Sequence, residues 1–392
     1  MAECKFNKVL VANRGEIAIR VFRACYDLGL HTVAMYSNED TFSLFRTKAD
    51  EAYLIGENKS PLGAYLDIPS IIDLARRRNV DAIHPGYGFL SENADFARAC
   101  EEAGITFIGP SSTILAQMGD KLTAKAIAHA CGVPTIPGSD RPLKDGEEAL
   151  AKAVEYGFPI ILKAAGGGGG RGMRRVYEPE QLIPLFEEAR SESLACFGSG
   201  EMYLEKLIVN PRHIEFQIMA DGQGHVIQLG DRDCSIQRRN QKLVEEAPAP
   251  FLPDEVINQL ETYSRSLFNK VDYIGLGTCE FMVTPHRKVY FLEVNPRLQV
   301  EHTVSEEVCG LDLVREQIDI ADGGHLTPAP APRGHSFELR ITSEDPATNL
   351  TPSSGTLERI VWPSGPGLRI DTGVEQGDTV SPKFDSMMGK VI

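Results

Sequence analysis

Short apolar strand patterns alternate with amphipathic helix patterns over the N-terminal quarter of the chain, and this alternation restricts the fold more than any other feature. Strand patterns at 8–12 and 31–37 enclose a helix pattern at 16–28, in which apolar residues recur at helical spacing. A second helix pattern at 69–79 leads into a strand pattern at 80–84. This order predicts a parallel sheet with helices on its faces.

The turn after the first strand argues against a dinucleotide-binding domain. It reads Asn13-Arg14-Gly15-Glu16. The G-x-G-x-x-G sequence that brings a pyrophosphate onto a helix N-terminus is missing from this turn. The sequence therefore predicts a Rossmann-like sheet without a site for NAD.

Charge and cysteine usage exclude several further functions. The formal net charge of −15 argues against binding nucleic acid or an anionic membrane, and we find no apolar run of membrane-spanning length. The eight cysteines are scattered without a C-x-x-C pair, so zinc and redox sites have little support and core positions are favoured. The polar start at 1–7 lacks a signal core. We expect a protein of the reducing cytoplasm.

A run of five glycines at 166–170, followed by Arg171 and Gly172, is the first feature that indicates chemistry. Such a run disfavours helix and central strand, but its amides can form a nest for phosphate oxygens. No G-K-[ST] follows, so this is not a P-loop. A surface loop is the equal alternative, and Lys163 at the end of the preceding strand pattern favours a phosphate-binding flap.

Polar and apolar residues alternate from Glu293 to Glu301, which is the strongest local signal. In an extended chain all five polar side chains would face one way, and Glu280 could lie on a neighbouring strand. Carboxylates with an amide are ligands that Mg²⁺ prefers beside nucleotide phosphates. The alternative is a solvated strand face, but Pro296 interrupts the strand and the flanking sequence is apolar.

Three further features of the sequence have more open interpretations. The stretch 231–242 is dense in Arg and Lys, which predicts an anion site or a salt-bridged loop. His213 and His302 are more typical of structural hydrogen bonding than of catalysis. Pro and Ala cluster at 323–333, which predicts a linker, and short strand patterns follow.

These motifs together resemble the biotin carboxylase subunits and domains of acetyl-CoA, propionyl-CoA and pyruvate carboxylases, which are ATP-grasp enzymes. The resemblance runs through nearly the whole chain and is carried by the glycine flap and by the stretches 12–18, 84–93, 118–121, 232–242 and 293–302. It implies an α/β and α+β protein with three parts: a Rossmann-like domain at 1–118, an ATP-grasp domain at 119–325 with a mobile lid at about 134–206, and a partial β-rich C-terminal domain at 334–392.

The resemblance also implies residue roles for ATP and for Mg²⁺ or Mn²⁺. Glu280 and Glu293 would hold the metal with help from Asn295. The phosphates, the adenine hinge and neighbouring nucleotide contacts would be provided by Lys121, Lys163, Gly169, Gly170, Glu205, Lys206, Leu207, Ile208, His213 and Asn240.

For the substrates, the resemblance implies a bicarbonate site and a biotin contact. Bicarbonate would be bound by Lys242, Arg297, Gln299 and Val300. Glu301 would be the base that deprotonates it, and Arg340 would meet the ureido oxygen of biotin. Carboxyphosphate and ADP would form first, and biotin would then be carboxylated.

Partners follow from what the chain lacks. No Met-Lys-Met-type biotin attachment motif occurs, so the resemblance implies a separate biotin carboxyl carrier domain, a carboxyltransferase and a homodimer.

The sequence departs from the family pattern at two positions. Asn240 stands where the family usually has His, and Phe384 where it usually has Tyr. The family continues beyond Ile392, so we expect an incomplete C-terminal domain.

Two other functions compete with this interpretation. Another ATP-grasp ligase, such as a carbamoyl-phosphate-forming enzyme, shares bicarbonate activation, although Arg340 and the stretch 297–301 favour biotin. A nucleotide-binding module without turnover is the second, supported by Asn240 and the early end of the family pattern. Biotin-stimulated and bicarbonate-dependent ADP release would discriminate among the three.

Overall fold

The computed structural model describes residues 5–164 and 173–392, without the side chains of residues 121, 122, 196 and 197. Gly169 and Gly170, predicted to close over the nucleotide, therefore lie outside the described residues. The same holds for the side chain of Lys121, the residue at which a helix begins.

The N-terminal part contains a five-stranded parallel sheet in the order β3-β2-β1-β4-β5. Helix α1 covers one face, and helices α2 to α5 cover the other. The predicted alternation of strands and helices is confirmed. The strands are β1 (Lys8–Val11), β2 (His31–Tyr36), β3 (Glu51–Leu54), β4 (Ala82–His84) and β5 (Thr106–Phe107). The helices are α1 (Gly15–Asp27), α2 (Pro61–Tyr65), α3 (Ile68–Arg77), α4 (Ala94–Ala103) and α5 (Ser112–Gly119).

The predicted lid region contains a small antiparallel sheet in the order β7-β6-β8, covered by two helices. Alternate residues of β6 point into a separate core with the apolar faces of these helices, including Leu162 and Phe186. A core of its own lets this part hold its shape independently of the rest. Its elements are α7 (Gly146–Tyr156), β6 (Ile160–Ala164), β7 (Met173–Val176), α8 (Pro179–Phe197) and β8 (Met202–Lys206); α6 (Lys121–Ala130) precedes them.

An eight-stranded sheet forms the centre of the molecule, in the order β13-β12-β9-β10-β11-β14-β20-β18. Along β9, Ile214, Phe216 and Ile218 point into an apolar core with α6 and α9, so the alternate residues face the opposite side. The elements of this part are β9 (Arg212–Ala220), β10 (Val226–Arg238), β11 (Gln241–Ala247), α9 (Asp254–Lys270), β12 (Gly275–Val283), β13 (Val289–Asn295), α10 (His302–Cys309) and α11 (Leu313–Ala321).

The predicted linker carries no helix or strand at 322–335, and the β-rich segment after it is confirmed. Three of its strands join the central sheet, with Glu338 opposite Glu245 on β11. The remaining strands form two short pairs. The strands are β14 (Ser336–Thr342), β15 (Glu344–Asp345), β16 (Thr351–Pro352), β17 (Gly355–Thr356), β18 (Ile370–Thr372), β19 (Thr379–Val380) and β20 (Met387–Val391).

Two sequence-based expectations for the central sheet were wrong. Strand β10 runs to Arg238 and β11 begins at Gln241, so most of the basic stretch 231–242 is a β10–β11 hairpin and not a salt-bridged loop. The turn residues Arg239 and Asn240 have φ of +51° and +65°. Asparagine tolerates this left-handed conformation, which accounts for Asn240 at an exposed hairpin turn.

The other expectation concerned the alternation from Glu293 to Glu301. Strand β13 ends at Asn295, immediately before Pro296, so the polar residues after it do not share one strand face. The chain turns instead, and α10 follows at His302. The proline that argued against an ordinary strand is also the reason the strand pattern fails. Among the described residues, no helix combines the length and apolar character needed to cross a membrane.

Candidate active site

A row of charged residues crosses four neighbouring strands of the central sheet. The antiparallel register places Glu293 on β13 opposite Glu280 on β12, Glu280 opposite Glu215 on β9, and Glu215 opposite Arg232 on β10. Directly opposed residues share a face of a sheet. The predicted pairing of Glu280 and Glu293 on adjacent strands is therefore confirmed, although the metal role of the two residues is not tested by their position.

Lys242 on β11 gathers three carboxylates around its ammonium. Its Nζ contacts Glu215 and lies 2.9 Å from Glu280 and 2.7 Å from Glu301. Burial disfavours these charges, but the attraction among them prevails: the pKa of Lys242 rises well above its usual value, and that of Glu215 falls to about 2. The site thus holds an ammonium and ionised carboxylates away from bulk water.

Arg232 is fully buried and forms hydrogen bonds with residues of this cluster. Its guanidinium donates to Glu215 at 2.9 Å, to Gln217 at 2.6 Å and to Gln299 at 2.6 Å. Arg238 pairs instead with Glu344 at 2.6 Å. Of the basic residues in the stretch 231–242, Arg232 and Lys242 thus contact the acidic cluster, whereas Arg238 does not.

The residues after β13 converge on Glu280 although they leave the strand. Asn295 and Gln299 donate to the same Glu280 oxygen, at 2.7 and 2.9 Å. Arg297 donates to the Asn295 side-chain oxygen at 3.1 Å and also contacts Glu92, from the N-terminal part. The turn therefore brings together most of the polar side chains that the alternation had singled out.

Arg340 on β14 reaches the same cluster from the C-terminal segment. Its guanidinium lies 2.6 Å from Glu245 and 3.0 Å from Glu301. Glu245 and Glu338 are buried opposite each other, and burial together with the Glu338 charge raises the pKa of Glu245 to about 8 despite Arg340. This pair of carboxyls retains a proton at neutral pH, whereas Glu301 does not: burial opposes its ionisation, but Lys242 and Arg340 lower its pKa.

His213 lies at the other side of Glu280. Its Nε2 is 2.9 Å from Glu280 and 3.3 Å from Glu215. Burial favours the neutral imidazole, but the two carboxylates raise the pKa of His213 to about 10. His302, in contrast, directs Nδ1 to the Gln299 carbonyl at 2.8 Å, as predicted for a structural histidine.

The acidic residues fit a divalent cation. Carboxylate oxygens of Glu215 and Glu280 lie within 4.8 Å of each other, and Glu293 stands beside Glu280 in the sheet register. Carboxylate and amide oxygens are the ligands Mg²⁺ prefers. A cation at Glu280 would replace its contacts with Lys242 and His213, which would release the Lys242 ammonium toward another anion.

A second group of contacts lies between the lid sheet and α6. Glu205 on β8 contacts Lys163 on β6, and its other oxygen lies 2.6 Å from Lys125 on α6. Lys206 donates to the carbonyl oxygens of Gly157 and Phe158, both at 2.8 Å. The predicted nucleotide residues on β6 and β8 are thus brought together, and half-buried Leu207 and Ile208 follow directly after β8.

Sequence reasoning missed several residues of this site. Glu215, Glu245 and Glu338 are fully buried acids at its centre, and Glu92 and Lys125 pair with predicted site residues. For Glu215 a signal existed. His213, Glu215 and Gln217 alternate with apolar residues along β9, the same pattern that singled out Glu293 to Glu301.

Comparison with known families agrees with this geometry. Residues 120–329 match the model for the carbamoyl-phosphate synthase L chain ATP-binding domain, residues 5–115 that for the biotin carboxylase N-terminal domain, and residues 338–392 that for the biotin carboxylase C-terminal domain.

Relatives among curated proteins include human mitochondrial pyruvate carboxylase, 52% identical over 98% of this chain and 33% of that protein. The biotin carboxylase of Halalkalibacterium halodurans is 48% identical over 99% of this chain and 86% of that protein. The chain thus spans about a third of the length of the pyruvate carboxylases it matches.

Solved structures are similar over nearly the whole chain. The biotin carboxylase domain dimer of Hydrogenobacter thermophilus 2-oxoglutarate carboxylase, in complex with MgADP, ADP and bicarbonate, has a TM-score of 0.92 and 48% identity, covering 98% of this chain and 85% of that one. Campylobacter jejuni biotin carboxylase in a β-γ-ATP complex has a TM-score of 0.92 and 44% identity, covering 99% and 87%.

The lid sheet, the central sheet and the acidic row on it define a protein of the ATP-grasp class. With near-complete coverage of a biotin carboxylase at 48% identity, the chain belongs to the biotin carboxylase family. The fold class and the family predicted from sequence are both confirmed.

Proposed function

We propose that the chain catalyses the ATP- and bicarbonate-dependent carboxylation of biotin on a carrier protein, through carboxyphosphate. This is the first half-reaction of a biotin-dependent carboxylase. The observation that carries the proposal is the position of Lys242, whose ammonium lies 2.9 Å from Glu280 and 2.7 Å from Glu301. Lys242 thus contacts both Glu280, a proposed metal ligand, and Glu301, the proposed acceptor of the bicarbonate proton.

Bicarbonate is held in this proposal by Lys242, Arg297, Gln299 and Val300. Glu301 accepts its proton, because a bicarbonate that keeps its proton is a poor nucleophile. The lowered pKa of Glu301, caused by Lys242 and Arg340 against the effect of burial, leaves the carboxylate ionised and ready to accept. The oxygen of the anion then attacks the γ-phosphoryl group, the bond to ADP breaks, and carboxyphosphate forms.

Glu280 and Glu293, with Asn295, would hold Mg²⁺ or Mn²⁺. The cation would offset the charge of the nucleotide phosphates. Lys163 lies at the end of β6 and leaves its contact with Glu205 to bind phosphate, while Lys125 continues to neutralise Glu205. The other nucleotide contacts proposed are Lys121, Gly169, Gly170, Glu205, Lys206, Leu207, Ile208, His213 and Asn240.

Biotin is carboxylated in the second step. Carboxyphosphate releases CO₂ and phosphate, the phosphate removes the N1′ proton of biotin, and N1′ attacks CO₂. Negative charge develops on the ureido oxygen, and the guanidinium of Arg340 stabilises it. The Arg340 guanidinium lies 3.0 Å from Glu301, which supports this role. Carboxyphosphate formation and biotin carboxylation would then take place at the same anion site.

The partners of the proposal are a biotin carboxyl carrier domain, a carboxyltransferase and a second copy of the chain, and its location is the cytoplasm. The domain limits at 118, 325 and 334 remain part of the proposal. A relative's structure is a dimer. In this proposal the carboxyltransferase partner, and not this chain, selects the final carboxyl acceptor.

The test is ADP release from MgATP by the purified chain. We expect release to require bicarbonate and to increase with free biotin or a biotinylated carrier. A bicarbonate-dependent rate that biotin leaves unchanged would favour a carbamoyl-phosphate-type ligase. Tight ADP binding without any turnover would favour a nucleotide-binding module.

A further inference from the structure

Lys390 on β20 is a fully buried lysine to which no step above assigns a role. A lysine is almost never fully buried unless it is paired, because removing its charge from water is unfavourable. The groups around its ammonium therefore indicate what the charge does.

The ammonium of Lys390 donates to the carbonyl oxygen of Val300 at 2.8 Å. In the same turn, the Gln299 carbonyl accepts from the Nδ1 of His302 at 2.8 Å and from its backbone N–H at 3.3 Å. Burial and the nearby Lys390 charge lower the pKa of His302 well below its usual value, so its imidazole is neutral. Two successive carbonyl groups of the turn are thus each fixed by a buried side chain.

Fixing these carbonyl groups also fixes the amides that follow them. A peptide unit is planar, and its C=O and N–H point in opposite directions. The Val300 carbonyl therefore determines where the N–H of Glu301 points and where the Glu301 side chain starts. The Gln299 carbonyl does the same for the N–H of Val300. Lys390 and His302 therefore fix the orientation of the turn that carries the proposed substrate-binding residues Gln299, Val300 and Glu301.

The charge of Lys390 is balanced by three buried acids, Glu16, Glu338 and Asp371. Its Nζ lies 3.6 Å from Glu16 in the first turn of α1. Within the described residues, neither oxygen of the buried Glu16 carboxylate accepts a hydrogen bond. Glu338 lies on β14, which pairs with β20, and Asp371 on β18 is the register partner of Lys390.

The packing around this ion pair is close. A Cβ added to Gly373, just after β18, would lie 2.6 Å from the backbone nitrogen of Glu16. The C-terminal strands and the start of α1 therefore meet directly behind the turn. The ammonium of Lys390 is the group that connects both of them to the Val300 carbonyl.

We propose that Lys390 is a positioning residue for the bicarbonate site, which holds the turn from Gln299 to Glu301 in its anion-binding orientation. Glu16 in helix α1 is one of the acids that balance its charge, so helix α1 and strand β20 both support the turn. The inference rests on the proposed function, because it concerns the same anion site. It makes bicarbonate use depend on a residue that does not touch bicarbonate.

The principal variant is the double substitution Glu16→Gln with Lys390→Met. Lys390→Met alone would leave Glu16 buried and unbalanced, which is strongly destabilising. The double variant removes both charges together and deletes the donor to Val300. Glu16→Gln alone keeps that donor. Lys8→Met is the control, because it breaks a lysine–glutamate pair at 2.8 Å at the start of β1, whereas Glu16 follows the end of that strand.

The measurement is biotin-stimulated ADP release at varied bicarbonate and, separately, at varied MgATP, with urea unfolding of each variant. We expect the double variant to unfold at a urea midpoint nearer to wild type than Lys390→Met does. Its KM for bicarbonate should rise about ten-fold, the effect of losing one well-made hydrogen bond to the turn, and its KM for MgATP should change by less than about two-fold. Lys8→Met should keep a KM for bicarbonate close to wild type. Glu16→Gln keeps the donor to Val300 but removes part of its charge balance, so it should raise this KM by less than the double variant does.

Three results would overturn the inference. A folded double variant with an unchanged KM for bicarbonate would show that the turn keeps its orientation without Lys390. Equal losses for bicarbonate and MgATP would indicate a general structural role, as would a double variant that does not fold. A wild-type chain without bicarbonate-dependent ADP release would count against the proposed function itself.

Discussion

The guanidinium of Arg340 lies 3.0 Å from the carboxylate of Glu301, although 38 residues and an irregular segment separate them. This contact joins strand β14 to the turn that follows β13. It places the cation proposed to stabilise the developing charge of biotin beside the acid proposed to deprotonate bicarbonate. We therefore expect bicarbonate activation and biotin carboxylation to use neighbouring side chains. Single substitutions should show which side chain each partial reaction needs.

Replacing Glu301 by Gln should lower bicarbonate-dependent ADP release by about 100-fold or more, because it removes the proposed general base. ADP affinity should change little, since Glu301 belongs to the anion side of the cluster. Rate measurements combined with calorimetric ADP titration check both parts.

Glu307→Gln is the control for this change. Its carboxylate lies on the adjacent helix, is 46% exposed and pairs with Arg369, so its rate should match wild type. A Glu301→Gln rate within a few-fold of wild type would show that another group takes the proton.

Replacing Lys242 by Met should lower the free energy of unfolding by about 3–5 kcal/mol, because three buried carboxylates lose their shared cation. Lys242 is only 14% exposed, so solvent cannot substitute for it. Urea unfolding measures the change. The surface substitution Lys8→Met should lower it by less than about 1 kcal/mol. Equal losses in the two variants would contradict the proposed role of the buried cluster.

The buried carboxyl pair on β11 and β14 should make stability fall as pH rises. Burial and Glu338 raise the pKa of Glu245 to about 8 from 4.5. Between these values the folded chain keeps a proton that the unfolded chain loses, so this contribution decreases with increasing pH. Glu245→Gln removes the titration. Its unfolding free energy should gain on wild type by up to about 1.4 kcal/mol per pH unit in this window.

Urea unfolding at several pH values from about 5 to about 8 gives this comparison. Glu188→Gln is the control, because its carboxylate on α8 is 61% exposed, and its curve should run parallel to wild type. A Glu245→Gln curve that is also parallel would mean that Glu245 is ionised throughout.

Phe251 should be replaceable by glycine with a gain in stability. Its φ is +56° and its side chain is 96% exposed, so it has backbone strain without packing to compensate. Phe251→Gly should raise the free energy of unfolding by about 0.5–1 kcal/mol, the net of relieved strain and greater freedom of the unfolded chain. Phe251→Ala keeps a Cβ and should gain nothing. Thermal unfolding distinguishes the two, and an equal gain in both would rule out strain as the cause.

The sequence by itself determined the elements of this protein and the identity of most polar residues at its site. Local patterns suffice for these, because a strand face or a helix stripe follows from the spacing of a few neighbouring residues. They predicted the parallel N-terminal sheet, the pairing of Glu280 with Glu293 and the importance of the stretch from Asn295 to Glu301.

The tertiary structure decided which of these residues meet. Arg340, Lys390 and Glu16 lie far from Glu301 and Val300 in the chain, and long-range sheet register and packing bring them behind one turn. The alternation after Pro296 predicted that these side chains gather on one strand face, but they converge through a turn and not along a strand. Charge balance among buried groups depends on the distances between their atoms in the folded protein. The separation of two residues along the sequence does not determine these distances.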